Sequence, residues 1–340
     1  MAEFKTPVSN RTRKGKGGNC TPKIVIPPSP LMKQLGYGTG VNVYLMERFS
    51  PLHGSYKSPW AVKKINRKIN DEDDEFKKRL YTEASLLKSL NHPNIIGYRS
   101  YTHKDGVPCL FMESGDRSLD DLIEKREEAG LGPFPPFSIL KVARDVASGL
   151  KYLHEEKKLL HGDLKSGNIL IKGDFKVAKL CDFGVSLKLD DKGALRDPEK
   201  CYIGTECWSA PEVLEGATIT HKTDMFPYGL LLWEMVALHP PHVNMLNLSE
   251  AFSDEELSES FVEEEYYKVL GTRPSLPDTP LTEDYLPVLE IFYACTEAEP
   301  AKRPKAAQVV NILDSMGDNK EKTEGAGGDR KFLKMLHEDL

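Results

Sequence analysis

The sequence predicts an α+β protein of two unlike lobes, the first rich in strands and the second in helices. Three observations carry that expectation. The chain has 340 residues, more than one hydrophobic core usually fills. Residues 35–65 read as strands separated by Gly-rich turns. From residue 75 onward apolar residues recur mostly at helical spacing, with only short strands between. Composition suits a globular chain, with 39% hydrophobic and 29% charged residues, and the net charge of -6 gives no reason to expect a nucleic-acid partner. The six cysteines (20, 109, 181, 201, 207 and 295) form no Cys-x-x-Cys pair, so reduced thiols are expected, not a disulfide framework or a zinc site. The start MAEFKTPVSN lacks an apolar signal core. The longest apolar run, GLLLWEMVAL (229–238), is too short to span a bilayer and holds Glu234. A soluble intracellular protein follows as the expectation, cytoplasmic, nuclear or both, with no membrane partner.

The elements follow in order. Residues 1–30 are polar and rich in Pro, Gly and base, and are expected to be a disordered regulatory tail. Thr6, Thr21 and Ser29 each precede a proline, which makes them candidate phosphosites for a proline-directed kinase. The cluster Arg11, Arg13, Lys14 and Lys16 reads as a solvated tail. A helix is predicted over 75–90, with Phe76, Leu80, Ala84, Leu87 and Leu90 on one stripe. CLFM (109–112) reads as a short buried strand, and Ser118 to Asp121 as a capping box with Asp in place of the usual Glu. A long helix is expected at roughly 138–154, then a strand pair around 169–171 and 176–181. The acidic stretch 249–265 reads as a solvated insertion.

Several residues carry chemistry. Gly36 and Gly38, in GYGTGVNV (36–43), sit between two strands, where glycine lets backbone N–H groups approach phosphate oxygens. In WAVKKI (60–65) strand alternation puts Ala61, Lys63 and Ile65 on one face, so a lysine on a buried face needs an anion. Glu83 falls on the apolar stripe between Leu80 and Leu87, and a carboxylate there needs a cation. The two answer each other. In LHGDLKSGNIL (160–170) Asp163 can accept a hydroxyl proton, with Lys165 beside it. Asn168 and Asp182, the latter opening Asp182-Phe183-Gly184, offer the oxygen ligands a hard cation requires.

The ordered set GYGTG, AVKK, Glu83, HGDLKSGN, DFG and Ala210-Pro211-Glu212 resembles the eukaryotic protein-kinase domain over roughly residues 32–315. Within that family LGYGTGVNVYLM, SPWAVKKIN, HPNIIGYRS, YLHEEKKLLHGDLKSGN, KGDFK, CYIGTE and the acidic insert resemble a mitotic, MAP-kinase-kinase-like serine/threonine group. The resemblance implies a bilobal protein-kinase fold: residues 31–114 as the nucleotide-binding lobe, 115–315 as the catalytic and substrate-binding lobe, and 316–340 as a tail. It implies ATP and Mg²⁺, with ATP bound by Gly36, Tyr37, Gly38, Thr39, Gly40, Val43, Ala61, Lys63, Met112, Glu113 and Gly115. Asp163, Lys165, Lys63 and Glu83 become catalytic residues, and Asn168 and Asp182 metal ligands. Thr205 could bond Asp163 and Lys165. Glu212 is expected to pair with Arg303, and Asp224 to anchor the catalytic-loop backbone. Protein substrates follow, with MAP kinases or histone as the finer expectation, and possible dual specificity.

Two positions depart from the family pattern. Val41 stands where a third loop glycine is expected. Gly162 stands where an Arg would clamp an activation-loop phosphate, so such a phosphate is expected to matter less here. Small-molecule phosphotransferases also write HGD, and a disabled kinase could lose that Arg, so those two readings are the alternatives. Lys165 and the segment GTECWSAPE favour a protein kinase acting on Ser or Thr. The terminus His337-Glu338-Asp339-Leu340 carries an acid where a PDZ-domain ligand usually has Thr or Ser, which disfavours a PDZ partner.

Overall fold

Strand pairing builds the first lobe. In the computed structural model, which describes residues 32–38, 41–50, 55–65, 74–104, 106–243 and 265–320, five antiparallel strands form one sheet. They are β1 (Met32–Gly38), β2 (Val41–Ser50), β3 (Ser55–Ile65), β4 (Tyr98–Lys104) and β5 (Val107–Glu113), in the order β1-β2-β3-β5-β4. Register puts Lys63 opposite Val43 on β2 and Leu110 on β5, in the middle of the sheet. Helix α1 (Asp74–Ser89) covers this sheet, with Leu80, Ala84 and Leu87 buried as the spacing predicts. The expected phosphosites Thr6, Thr21 and Ser29, the tail's basic cluster, the loop residues Thr39 and Gly40, most of the acidic stretch (249–264) and the PDZ-type terminus lie outside the described residues.

The second lobe is mainly helical. Strand β6 (Arg117–Ser118) leads into α2 (Leu119–Glu128), whose start is closed by the predicted capping box: Asp121 N–H donates to Ser118 Oγ and Ser118 N–H to Asp121 Oδ2. Helix α3 (Pro136–Lys151) starts on prolines, which need no N–H there, and continues into a π-helical turn at Tyr152–Glu156. Its stripe Ala143, Val146, Ala147 and Leu150 is buried. The predicted helix therefore starts two residues earlier than expected, and its last turn is wider than an α-helix.

Short strands carry the loop 161–168 on the cleft side of this lobe. β7 (Leu159–Leu160) pairs with β10 (Leu187–Lys188), and β8 (Ile169–Lys172) joins β6 and β9 (Val177–Leu180). Asp145 on α3 accepts from Ala178 N–H on β9 at 2.9 Å, which fixes that hairpin against the helix. After α4 (Pro211–Leu214) comes α5 (Met225–Ala237), buried on all sides and the axis of this lobe. Pro227 lies in its first turn, where a missing N–H costs nothing. Helices α6 (Leu286–Cys295) and α7 (Ala306–Lys320) pack around it and α3. Among the described residues no helix is long and apolar enough to cross a membrane.

Candidate active site

A cleft of about 380 Å³ opens between the sheet and the helical lobe. Val43 and Ala61 line it from the sheet, Met112 and Glu113 from the end of β5, Gly115 from the connection that follows, and Leu170 from below. The expected backbone of Gly36, Tyr37 and Gly38 forms the end of β1, beside the start of β2. Glu113 does something the sequence did not show. Its carboxylate accepts from Gly97 N–H and pairs with Lys172 and Lys179, tying the connection between lobes to β8 and β9. Those cations hold its carboxyl below the usual range despite burial.

At the back of the cleft, Lys63 Nζ reaches Glu83 at 2.9 Å and 3.1 Å and Asp182 Oδ1 at 2.8 Å. Burial works against the ammonium, but the two carboxylates outweigh it and raise the Lys63 pKa. Burial, with Asp182 nearby, pushes the Glu83 carboxyl up. Burial alone would raise Asp182 too, but Lys63 and the Gly184 N–H hold it down. Two carboxylates thus share one ammonium, and the side chain of Asp182 is 44% exposed to the cleft. That imbalance fits a cation. Asn168 also lines the cleft. Its Nδ2 donates to the Asp163 carbonyl and carboxylate at 2.7 Å and 2.9 Å, and no described protein donor reaches its Oδ1. Among the described residues no three His, Cys, Asp or Glu side chains converge on a closed metal site, so a cation held by Asn168 and Asp182 would complete its shell from phosphate and water.

The loop 161–168 is held from beneath. Asp224, fully buried, accepts from His161 N–H at 2.8 Å and Gly162 N–H at 3.0 Å, and contacts His154 Nε2 at 2.8 Å. Burial would raise its carboxyl, but His154 and these donors depress it. Phe183 packs on the His161 ring at 5.1 Å, and Cys181, whose thiol burial pushes up, lines the cleft. Thr205 closes the network: its hydroxyl donates to Asp163 Oδ1 at 2.8 Å and accepts from Lys165 Nζ at 2.7 Å. Lys165 also lies 3.1 Å from Asp163 Oδ2. Farther away, Arg303 forks onto both oxygens of Glu212 at 2.7 Å each, with side chains 0% and 4% exposed.

Sequence reasoning missed two features here. Ser166 donates to Glu234 at 2.8 Å, and the other Glu234 oxygen has no partner. Burial drives that carboxyl well above its ordinary range. Tyr202 packs beside Gly162. Neither carries a periodic or motif signal, because both partnerships are made across long stretches of chain.

Comparison with known proteins agrees with this geometry. The pattern described as the protein kinase domain matches residues 30–312. The chain is 53% identical over 321 residues to human lymphokine-activated killer T-cell-originated protein kinase, covering 93% of this chain and 98% of that protein. It is 28% identical to the Arabidopsis thaliana serine/threonine-protein kinase STY17, over 84% of this chain and 46% of that one. It is 29% identical to the Arabidopsis thaliana serine/threonine/tyrosine-protein kinase HT1, over 75% and 59%. A cleft with a shared lysine, a held catalytic loop and a family match over most of the sequence lead to one conclusion: the chain belongs to the protein kinase domain family.

Proposed function

We propose that the chain is a serine/threonine protein kinase that transfers the γ-phosphoryl group of Mg-ATP to hydroxyls of protein substrates. The observation that carries this is the Thr205 hydroxyl, which joins Asp163 and Lys165 into one network at the mouth of the cleft. Lys63, held by Glu83, contacts the α- and β-phosphates. Mg²⁺, when bound by Asp182 and Asn168, neutralises phosphate charge. Asp163 orients the attacking hydroxyl and takes its proton. An oxygen–phosphorus bond forms at the γ-phosphate, the bond to the β,γ-bridging oxygen breaks, and ADP leaves. Lys165 balances charge on the transferring group. Positioning and electrostatics supply most of the acceleration.

Ser/Thr preference rests on Lys165 and on relatives named serine/threonine kinases. Mitotic and MAP kinase signalling, with MAP kinases or histone as substrates, rest on the resemblance of the sequence alone. So does phosphorylation of Thr6, Thr21 and Ser29 by a proline-directed kinase. Gly162 supplies no side chain to hold a phosphate, which supports activity without activation-segment phosphorylation. The test is transfer of labelled γ-phosphate to myelin basic protein, histone and a MAP kinase, followed by phosphoamino-acid analysis, beside Asp163→Asn. Label on Ser or Thr, absent from the variant, is the expected result. No transfer with intact nucleotide binding would favour a silent scaffold or a small-molecule kinase. Phosphatase-treated enzyme and Ser186→Ala should keep their activity, and loss on phosphatase treatment would overturn the reading of Gly162.

A further inference from the structure

The activation segment needs some device to hold Thr205 against Asp163, and the structure offers one beside Gly162. Gly162 has φ +83, a left-handed conformation that favours glycine, and its N–H is committed to Asp224. A Cβ at 162 would lie 3.1 Å from the Val185 carbonyl and 4.0 Å from Tyr202 Cε2. On the other side, a Cβ at Gly204 would fall 2.5 Å from Tyr202 Cε1, 3.0 Å from its hydroxyl and 3.1 Å from the Gly162 carbonyl. Both glycines therefore border the Tyr202 ring, and any side chain at 204 would collide with it. The ring also packs on the small apolar cluster of Leu160, Leu187 and Leu189, which includes the β7–β10 pair. Burial, with the carboxylates of Asp224, Asp163 and Glu212 around it, pushes the phenol up, so it stays neutral. Thr205 follows three residues later.

We propose that Tyr202, packed beside Gly162 and Gly204, is a positioning residue that fixes the activation segment so that Thr205 holds Asp163 and Lys165, in place of a phosphate clamp. The proposal rests on the kinase reading above and names how its site is assembled. It accounts for both glycines at once: one forms the wall the ring lies beside, and the other leaves room for the ring. A phosphate clamp holds by charge and can be removed by a phosphatase. A half-buried ring packed on apolar side chains holds by contact, which a phosphatase does not touch.

The test is a double-mutant cycle in the full chain, with labelled phosphate transfer and nucleotide thermal shift read side by side. Tyr202→Ala should lower kcat on the order of 10²-fold, as expected for a displaced catalytic group, with KM for ATP nearly unchanged. Tyr202→Phe should stay within about twofold of wild type. Gly204→Ala should lose activity like Tyr202→Ala, yet add less than about twofold when combined with it, because the two closest contacts of the new methyl are with the ring. Additive losses would overturn the proposal, as would a Tyr202→Phe enzyme as weak as Tyr202→Ala. A second readout is independent of catalysis: amide exchange over residues 200–209 should speed up in Tyr202→Ala. Wild-type transfer failing while that exchange changes would sink the kinase reading and leave the positioning role standing. Unchanged exchange would sink the role itself.

Discussion

Two buried ion pairs in this protein look alike on paper and differ in what surrounds them. Arg303 and Glu212 match fork to fork, and Arg303 also donates to the carbonyls of Glu297, Lys222 and Ala298. One charge meets one charge, the donors are used, and water is excluded. Lys63 and Glu83 are buried as deeply, but a second carboxylate shares the ammonium and the group faces a cleft. The sealed pair is complete without a ligand. The open one sets two carboxylates on one ammonium, an arrangement that favours a further cation. The degree of charge balance, more than depth of burial, separates a closed pair within the fold from a pair that opens onto the cleft.

Breaking the sealed pair should have the largest effect on stability. Arg303→Ala leaves Glu212 buried and unpaired, so thermal or denaturant unfolding should show a loss of about 3–5 kcal/mol. Arg303→Lys should recover little, since an ammonium cannot make the paired contact. Breaking the open pair should act elsewhere. Lys63→Met should cut phosphate transfer on the order of 10²–10³-fold and cost less stability than Arg303→Ala, because Glu83, whose carboxyl burial already pushes up, takes a proton once its cation is gone. A stability loss at Lys63 as large as at Arg303 would erase the distinction.

Smaller effects sharpen it. Thr205→Val removes a hydroxyl bonded to two charged groups and should lower kcat/KM by about tenfold or more, as loss of about 1.5–3 kcal/mol implies. Thr205→Ser should restore most of it. Glu234 gives the smallest effect. Its carboxyl is raised by burial, so the folded state keeps a proton that the unfolded state releases. Its contribution is therefore fullest at acidic pH, below the unfolded carboxylate pKa, and is lost as pH rises toward the raised folded value. Glu234→Gln should flatten that part of the stability–pH curve and leave stability at neutral pH equal or higher, as urea midpoints at pH 4 and pH 8 would show.

Much of this was legible in the sequence. Glu83 announced itself as an acid on an apolar helical stripe, and Ser118 to Asp121 as a cap, because helical spacing relates neighbours in sequence to neighbours in space. Lys63 was legible less cleanly: Val62, on the opposite face of β3, is buried too, so alternation alone did not mark the cleft side. The Arg303–Glu212 and Asp224 contacts followed only from the family pattern. The roles of Tyr202, of Glu113 as a tie to Lys172 and Lys179, and of Glu234 under Ser166 were not legible. Each depends on partners about 40 to 70 residues away, brought close by packing that no local period records.

The two carboxylates that share the Lys63 ammonium are the ground for proposing a metal nucleotide in the cleft. The most direct measurement is the thermal shift produced by ATP, with Mg²⁺ and then with EDTA, in wild type and Asp182→Asn. Mg²⁺ is expected to enlarge the shift in wild type and to add nothing in Asp182→Asn. An equal Mg²⁺ gain in both proteins would show that the cation is held without Asp182, and would contradict that proposal.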